Sequence, residues 1–191
     1  MNEFLWIIMG IWVMFLGWLF IPALVQGVPK PKKFSQTYLR RSLLIFVIVM
    51  VVFIVAGRED PGIFLVRVLP DTVFTGIVGV VLTVLGLGFS AYSRRILGRN
   101  WSSMVEIKEG HQLIRTGPYQ YVRNPMYTGM LTAYIGLVIV LGILAAFAAL
   151  VILVIAIRVK ISAEEELLEE QFGEEYNQYR REVKALIPGI L

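Results

Sequence analysis

Four long apolar runs separated by short polar segments set the terms on which this chain can fold. They cover about Phe4 to Val25, Leu39 to Ala56, Val73 to Tyr92 and Met126 to Ile157. A helix needs roughly 20 apolar residues to cross a bilayer's hydrocarbon core, where backbone groups must bond within the protein. The first three runs read as one span each, the second short but flanked by arginines that can snorkel. The last run has 32 residues, too many for one untilted helix and too few for two full spans and a loop. Gly136 and Gly142 offer a turn there, so the block reads as a tight helical hairpin whose second arm starts near Ile143. The expected fold is all-α: a polytopic membrane helical bundle of five transmembrane helices, the last two a hairpin, with a cytoplasmic C-terminal helix.

The residues between the runs refine this picture. The piece Ile63 to Leu69 is apolar but carries Arg67 and ends at Pro70, which predicts an interfacial segment rather than a span. Asp71 and Thr72 offer a start for the third helix, and Gly76, Gly79, Gly86 and Gly88 predict close helix packing along it. The first run lacks the basic start and short apolar core of a signal peptide, and reads as a retained span. Residues 1–191 read as one integral membrane domain. Residues 1–100 hold three spans and their loops, and 101–191 hold a polar loop, the hairpin and the last helix.

Charge distribution sets the expected orientation. The first loop carries Lys30, Lys32, Lys33, Arg40 and Arg41, and the third carries Arg94, Arg95, Arg99, Lys108, Arg115 and Arg123. The second loop has only Arg58 and Arg67, and the hairpin turn has no basic residue. The positive-inside rule then puts the N-terminus outside and the polar loop and C-terminus in the cytoplasm. The expected membrane is a cell inner membrane or an endomembrane. The net charge of +4 follows from this topology and calls for no nucleic acid. The absence of cysteine excludes disulfides and thiol chemistry, and a single histidine makes a metal site unexpected.

The polar residues gather in one stretch, His111 to Gly129, with the only histidine, two arginines and three tyrosines. Asn124 suits an N-cap and Pro125 the first helical position, so a helix N-terminus should face back toward this loop. Its free N–H groups favour a carboxylate or phosphate. On residue type alone His111 could bind an anion, cap a helix or sit in a wet loop, and Tyr119 and Tyr127 could be interface anchors. After Ile157 the chain should leave the bilayer as a continuous helix. On it Arg158 and Glu165, seven apart, share a face. Phe172, Tyr176, Tyr179 and Val183 form one apolar stripe expected to pack against the bundle.

Two blocks carry a family resemblance. GPYQYVRNPMYTG at 117–129, then a hydrophobic hairpin, then AEEELLEEQFGEEYNQYRREVKALIP at 163–188, resemble the isoprenylcysteine carboxyl methyltransferase and phospholipid methyltransferase group. The resemblance covers about the last 80 residues, and the family often has histidine where Asn124 stands. It implies a membrane enzyme that uses S-adenosyl-L-methionine. Cofactor contacts would come from His111, Leu113, Gly117, Tyr119, Arg123, Asn124, Pro125, Tyr127, Glu164 and Glu165. Arg123, Arg158 and Glu165 would be catalytic, with Arg123 or Arg158 facing an acceptor carboxylate, although snorkelling equally explains Arg158. The donor would come from the cytoplasm and a lipophilic acceptor from the bilayer, among membrane lipids and with no metal. An isoprenylcysteine-like carboxylate is the expected acceptor; a phospholipid amine or small thiol also fits. An NADPH-dependent sterol-type reductase and a non-catalytic protein on the same scaffold are the competing readings.

Overall fold

The computed structural model describes residues 3–26, 33–34, 61–101, 105–107 and 110–187. The expected second span, Leu39 to Ala56, and most of the basic loop before it lie outside the described residues. Among the described residues there are four apolar helices: α1 (Glu3–Gln26), α2 (Val73–Leu97), α3 (Pro125–Leu141) and α4 (Leu144–Phe172). A short polar helix, α5 (Glu174–Glu182), follows. By length and composition α2 and α4 can each cross a membrane. Along their apolar stretches they face outward with apolar side chains, Phe74 and Leu85 on α2 and Val151 and Ile155 on α4 all being exposed. The protein is a membrane helical bundle.

The expected start of α2 is realised as a capping box. Thr72 Oγ1 accepts from the Thr75 N–H at 3.2 Å, and Thr75 Oγ1 accepts from the Thr72 N–H at 3.1 Å, satisfying first-turn donors that have no helical partner. The helix runs past Tyr92 through Arg94 and Arg95 and stops where Gly98 takes a φ of 55°.

α2 and α3 meet along glycines. A Cβ at Gly86 would lie 2.5 Å from the Gly129 carbonyl oxygen, and one at Gly136 would lie 2.4 Å from that of Gly79. Each helix thus offers two glycines seven residues, about two turns, apart. Between them fully buried Thr83 has Oγ1 2.9 Å from the Gly79 oxygen and 3.3 Å from the Ala133 oxygen across the seam. Gly76 receives the Phe4 ring of α1. Gly88 departs from the expectation, because it faces outward with nothing within 4 Å of an added Cβ.

The hairpin turns at the expected place. Gly142 has a φ of 62° and its N–H donates to the Val138 oxygen at 2.8 Å, ending α3, and α4 begins at Leu144. The segment before α2 does not span. It makes a 3-10 turn over Pro61–Leu65 and then lies extended across the hairpin tip.

α4 continues through its charged half to Phe172, where Gly173, φ 55°, redirects the chain. The apolar stripe is therefore split over two helices, but its tyrosines are packed: Tyr176 and Tyr179 are buried. Beyond α5, residue 184 pairs in parallel with Val122. One feature departs from an all-α expectation. Lys33–Phe34 (β1) pairs antiparallel with Glu106–Ile107 (β2), and Val105 and Ile107 pack against Ala163 and Leu167 of α4.

Candidate active site

The end of α2, the polar loop, the start of α3, the charged half of α4 and the buried face of α5 enclose a cavity of ≈ 230 Å³. Its lining is sorted by chemistry. Leu19 of α1, Leu97, Trp101, Met126 and Met130 make an apolar side. Asn100, Glu106, His111 and Gln112 contribute polar groups from the loop. From α4 come Lys160, Glu164, Leu167 and Leu168, at i, i+4, i+7 and i+8, which is one helical face.

Pro125 occupies the first position of α3 as expected, but Asn124 does not cap it. Its Nδ2 donates to the Ala185 oxygen at 3.2 Å, and its backbone N–H donates to the same oxygen at 3.0 Å. The C-terminal tail takes both donors, and the first-turn N–H groups receive no bond from this side chain.

Arg123 and Glu165 are bonded to one another. Arg123 Nε and Nη2 donate to Glu165 Oε1 at 3.0 and 2.7 Å, in a pair only 9% and 12% exposed. Nη1 donates to the carbonyl oxygens of Val183 and, at 3.2 Å, Arg180. One guanidinium thus ties together the start of α3, α4 and the end of α5. Arg123 reaches the cavity wall, while Glu165 is not among the lining residues.

Glu164 faces the cavity and accepts from the Tyr127 hydroxyl at 2.8 Å. Lys160 stands one turn earlier, its Nζ 5.7 Å from the Tyr127 ring centre. His111 lines the cavity with its ring centre 6.2 Å from that of Phe172. Leu113 and Tyr119 also line it. Tyr119 is held by its hydroxyl, 3.4 Å from the Ser93 oxygen, and by its own carbonyl, which accepts from Tyr179 Oη at 2.6 Å. Burial pushes the Tyr179 phenol up to about 12 and those of Tyr119 and Tyr176 well above their ordinary value. All three therefore stay protonated at neutral pH.

Of the residues singled out by sequence, His111, Leu113, Tyr119, Arg123, Asn124, Tyr127 and Glu164 converge on the cavity, whereas Gly117, Pro125, Arg158 and Glu165 do not line it. Gly117 has a φ of 60° and shapes the turn before Tyr119. Arg158 is exposed on α4, outside the face that carries Lys160 and Glu164. Sequence reasoning passed over Lys160, Glu106, Trp101 and the two methionines. The i, i+4 spacing of Lys160 and Glu164 was a signal for the first, and an acid between Val105 and Ile107 for the second.

Comparison with known proteins shows the family. The chain is 29% identical over 120 residues to a probable protein-S-isoprenylcysteine O-methyltransferase of Oryza sativa subsp. japonica, covering 61% of this chain and 63% of that one. It is 30% identical over 117 residues to the protein-S-isoprenylcysteine O-methyltransferase of Saccharomyces cerevisiae, covering 60% and 49%. The matches thus span from about half to under two thirds of these relatives' length. Among solved structures, the eukaryotic intramembrane Ras methyltransferase, an isoprenylcysteine carboxyl methyltransferase, superposes with a TM-score of 0.56 at 25% identity. That match covers 79% of this chain and 53% of the other. The sequence model of the phospholipid methyltransferase family matches residues 74–175, from the first turn of α2 to the start of α5. Because that match takes in more than half of the chain, including α2, α3 and the cavity-lining face of α4, the protein belongs to the phospholipid methyltransferase family.

Proposed function

We propose that the cavity binds S-adenosyl-L-methionine and that the protein methylates the carboxylate of a lipophilic acceptor of the isoprenylcysteine type. The observation that carries this reading is the α4 face, where a lysine and a carboxylate one turn apart share a cavity with an apolar wall. The names of the relatives support the same chemistry.

The residues present fit such a donor. Glu106 and Glu164 favour a cationic centre, and the N-terminus of α3 favours a carboxylate by about 0.3–1 kcal/mol at an exposed site. The donor supplies a methyl group on a sulfonium, an electrophile that needs no metal and no covalent enzyme intermediate. What this chain adds is positioning and exclusion of water. Lys160 holds the acceptor carboxylate as a point charge, and that group is already the nucleophile, so no proton need be moved. Tyr127 fixes Glu164 through its hydroxyl, and Leu19, Met126 and Met130 keep the acceptor end dry. Arg123 positions the walls through Glu165 and the Val183 carbonyl. In this reading the donor enters from the polar loop on the cytoplasmic side, with the N-terminus outside and the acceptor arriving from the bilayer.

A phospholipid amine is the competing acceptor. The test is transfer of labelled methyl in vesicles to an N-acetyl-S-prenylcysteine and to phosphatidylethanolamine, followed by mild alkali. Label on the prenylcysteine released as methanol marks an ester and supports the reading. Alkali-stable label on the phospholipid overturns the acceptor assignment, and NADPH-dependent reduction of a sterol with no methyl transfer overturns the reaction class.

A further inference from the structure

The end of the bundle opposite the cavity carries an independent inference. α3 has 17 residues, about 25 Å at 1.5 Å per residue, and its partner α4, with 29, is joined to it at the turn. α3 falls short of a hydrocarbon core of about 30 Å. The hairpin therefore turns before it clears the far side of the bilayer, and the strap laid across its tip, residues 61–69, is carried to that depth with it. α2 points the same way, since its apolar run of 20 residues, Val73 to Tyr92, spans about 30 Å and starts where the strap ends.

Extended backbone is tolerated at such depth only when the protein satisfies its polar groups, and here the hairpin tip supplies partners. The Val68 and Leu69 N–H groups donate to the Gly142 oxygen at 2.7 and 3.2 Å, and the Leu144 N–H donates to the Val66 oxygen at 2.9 Å. Arg67 turns inward. Its Nε donates to the Leu69 oxygen at 3.0 Å, its Nη2 to the Val140 oxygen at 3.3 Å, and Asp71 pairs with it at 3.4 Å. The Val140 carbonyl belongs to the last turn of α3, where a cation is favourable. The outward side chains are the reverse in character. Leu65, Val66 and Val68 are 70%, 49% and 49% exposed. They are continuous with exposed Val73 and Phe74 on α2 and Leu144 on α4, which belong to the lipid-facing surface of the spans.

We propose that residues 61–69 are a lipid-contacting strap at the boundary between acyl chains and headgroups of the leaflet opposite the cavity. Leu65, Val66 and Val68 meet the chains, and Arg67 satisfies carbonyls that would otherwise face them. The occupant of this surface is the bilayer itself rather than a second protein.

The chain has no cysteine, so single spin labels can be placed directly at Leu65→Cys, Val66→Cys and Val68→Cys in lipid vesicles. Val151→Cys on the lipid-facing side of α4 and Gln178→Cys on α5 are the references. Collision with oxygen should exceed collision with a water-soluble nickel chelate at all three strap positions, as at Val151. Chelate accessibility equal to that at Gln178 would overturn the proposal, as would restricted collision with both reagents, the mark of a protein partner. Where a labelled variant does not fold, a lipid-chain carbene reagent applied to the unmodified protein reads the same surface. Photolabel on residues 61–69 is expected, and label confined to the spans would overturn it.

Discussion

Removing either partner of the Arg123–Glu165 pair should unfold more than it disables. Both side chains are about nine-tenths buried, and two guanidinium nitrogens converge on one carboxylate oxygen. Taking one partner from a buried pair costs about 3–5 kcal/mol, because the other charge stays buried without compensation. Glu165→Gln keeps an acceptor oxygen, and Arg123 retains its bonds to Val183 and Arg180, so about 2–3 kcal/mol is expected. Arg123→Ala should cost more, about 3–5 kcal/mol. It strips Glu165 to the half-exposed Arg180, 3.9 Å away, and frees two tail carbonyls. The double variant should fall short of the sum by about 1.5–3 kcal/mol, the worth of a charge-assisted bond. Arg123→Lys should not rescue, since one ammonium cannot bond in both directions at once. The assay is reversible unfolding in mixed micelles for the unmodified protein and these four variants. Additivity within about 0.5 kcal/mol would show that the two residues act independently and would refute the clamp.

Other perturbations test other links. Gly86→Ala should destabilise by about 1–3 kcal/mol through its clash with Gly129 and Ala133, while Gly88→Ala, which meets nothing, should be neutral or up to about 1 kcal/mol stabilising. Thermal unfolding of the two side by side checks the sign. Tyr127→Phe removes the 2.8 Å bond to Glu164 and should raise the donor dissociation constant about tenfold by calorimetry. Lys160→Gln should lower turnover on a carboxylate acceptor while leaving donor affinity within a few-fold, and Lys160→Arg should recover part of it, as measured by initial rates. Stability should hold as pH rises to about 10, the unfolded tyrosine value. Above that it should fall through about 12, where buried Tyr179 would have to ionise; denaturation midpoints across that range report it.

The hairpin was legible because 32 apolar residues have few ways to cross a bilayer, and Gly142 supplied the one conformation its turn needs. The start of α2 was legible because a capping box is local, written in Thr72 and Thr75. What could not be read were contacts made by distant chain. Asn124 looks like a cap, but its partner is the Ala185 oxygen, 61 residues away, and pairing with the tail outcompeted capping. Arg123 and Glu165 were both picked out, yet their bonding to each other depends on how α4 is rotated. The same rotation turns Lys160 and Glu164 to the cavity and leaves Arg158 outside. Gly88 shows the limit from the other side, since composition marks a glycine-rich helix but only packing decides which glycines lie in the seam.

The most direct test of the whole account is calorimetric binding of S-adenosylhomocysteine, which occupies the donor site without reacting. The measurement uses the unmodified protein, Glu164→Gln and, as a control away from the cavity, Arg158→Gln. One saturable site per chain is predicted. Glu164→Gln should weaken it about ten- to a hundredfold, as expected for loss of a charged hydrogen-bond acceptor, and Arg158→Gln should leave it unchanged. Equal binding by all three proteins, or no binding by folded protein, would contradict the assignment of this cavity to the methyl donor.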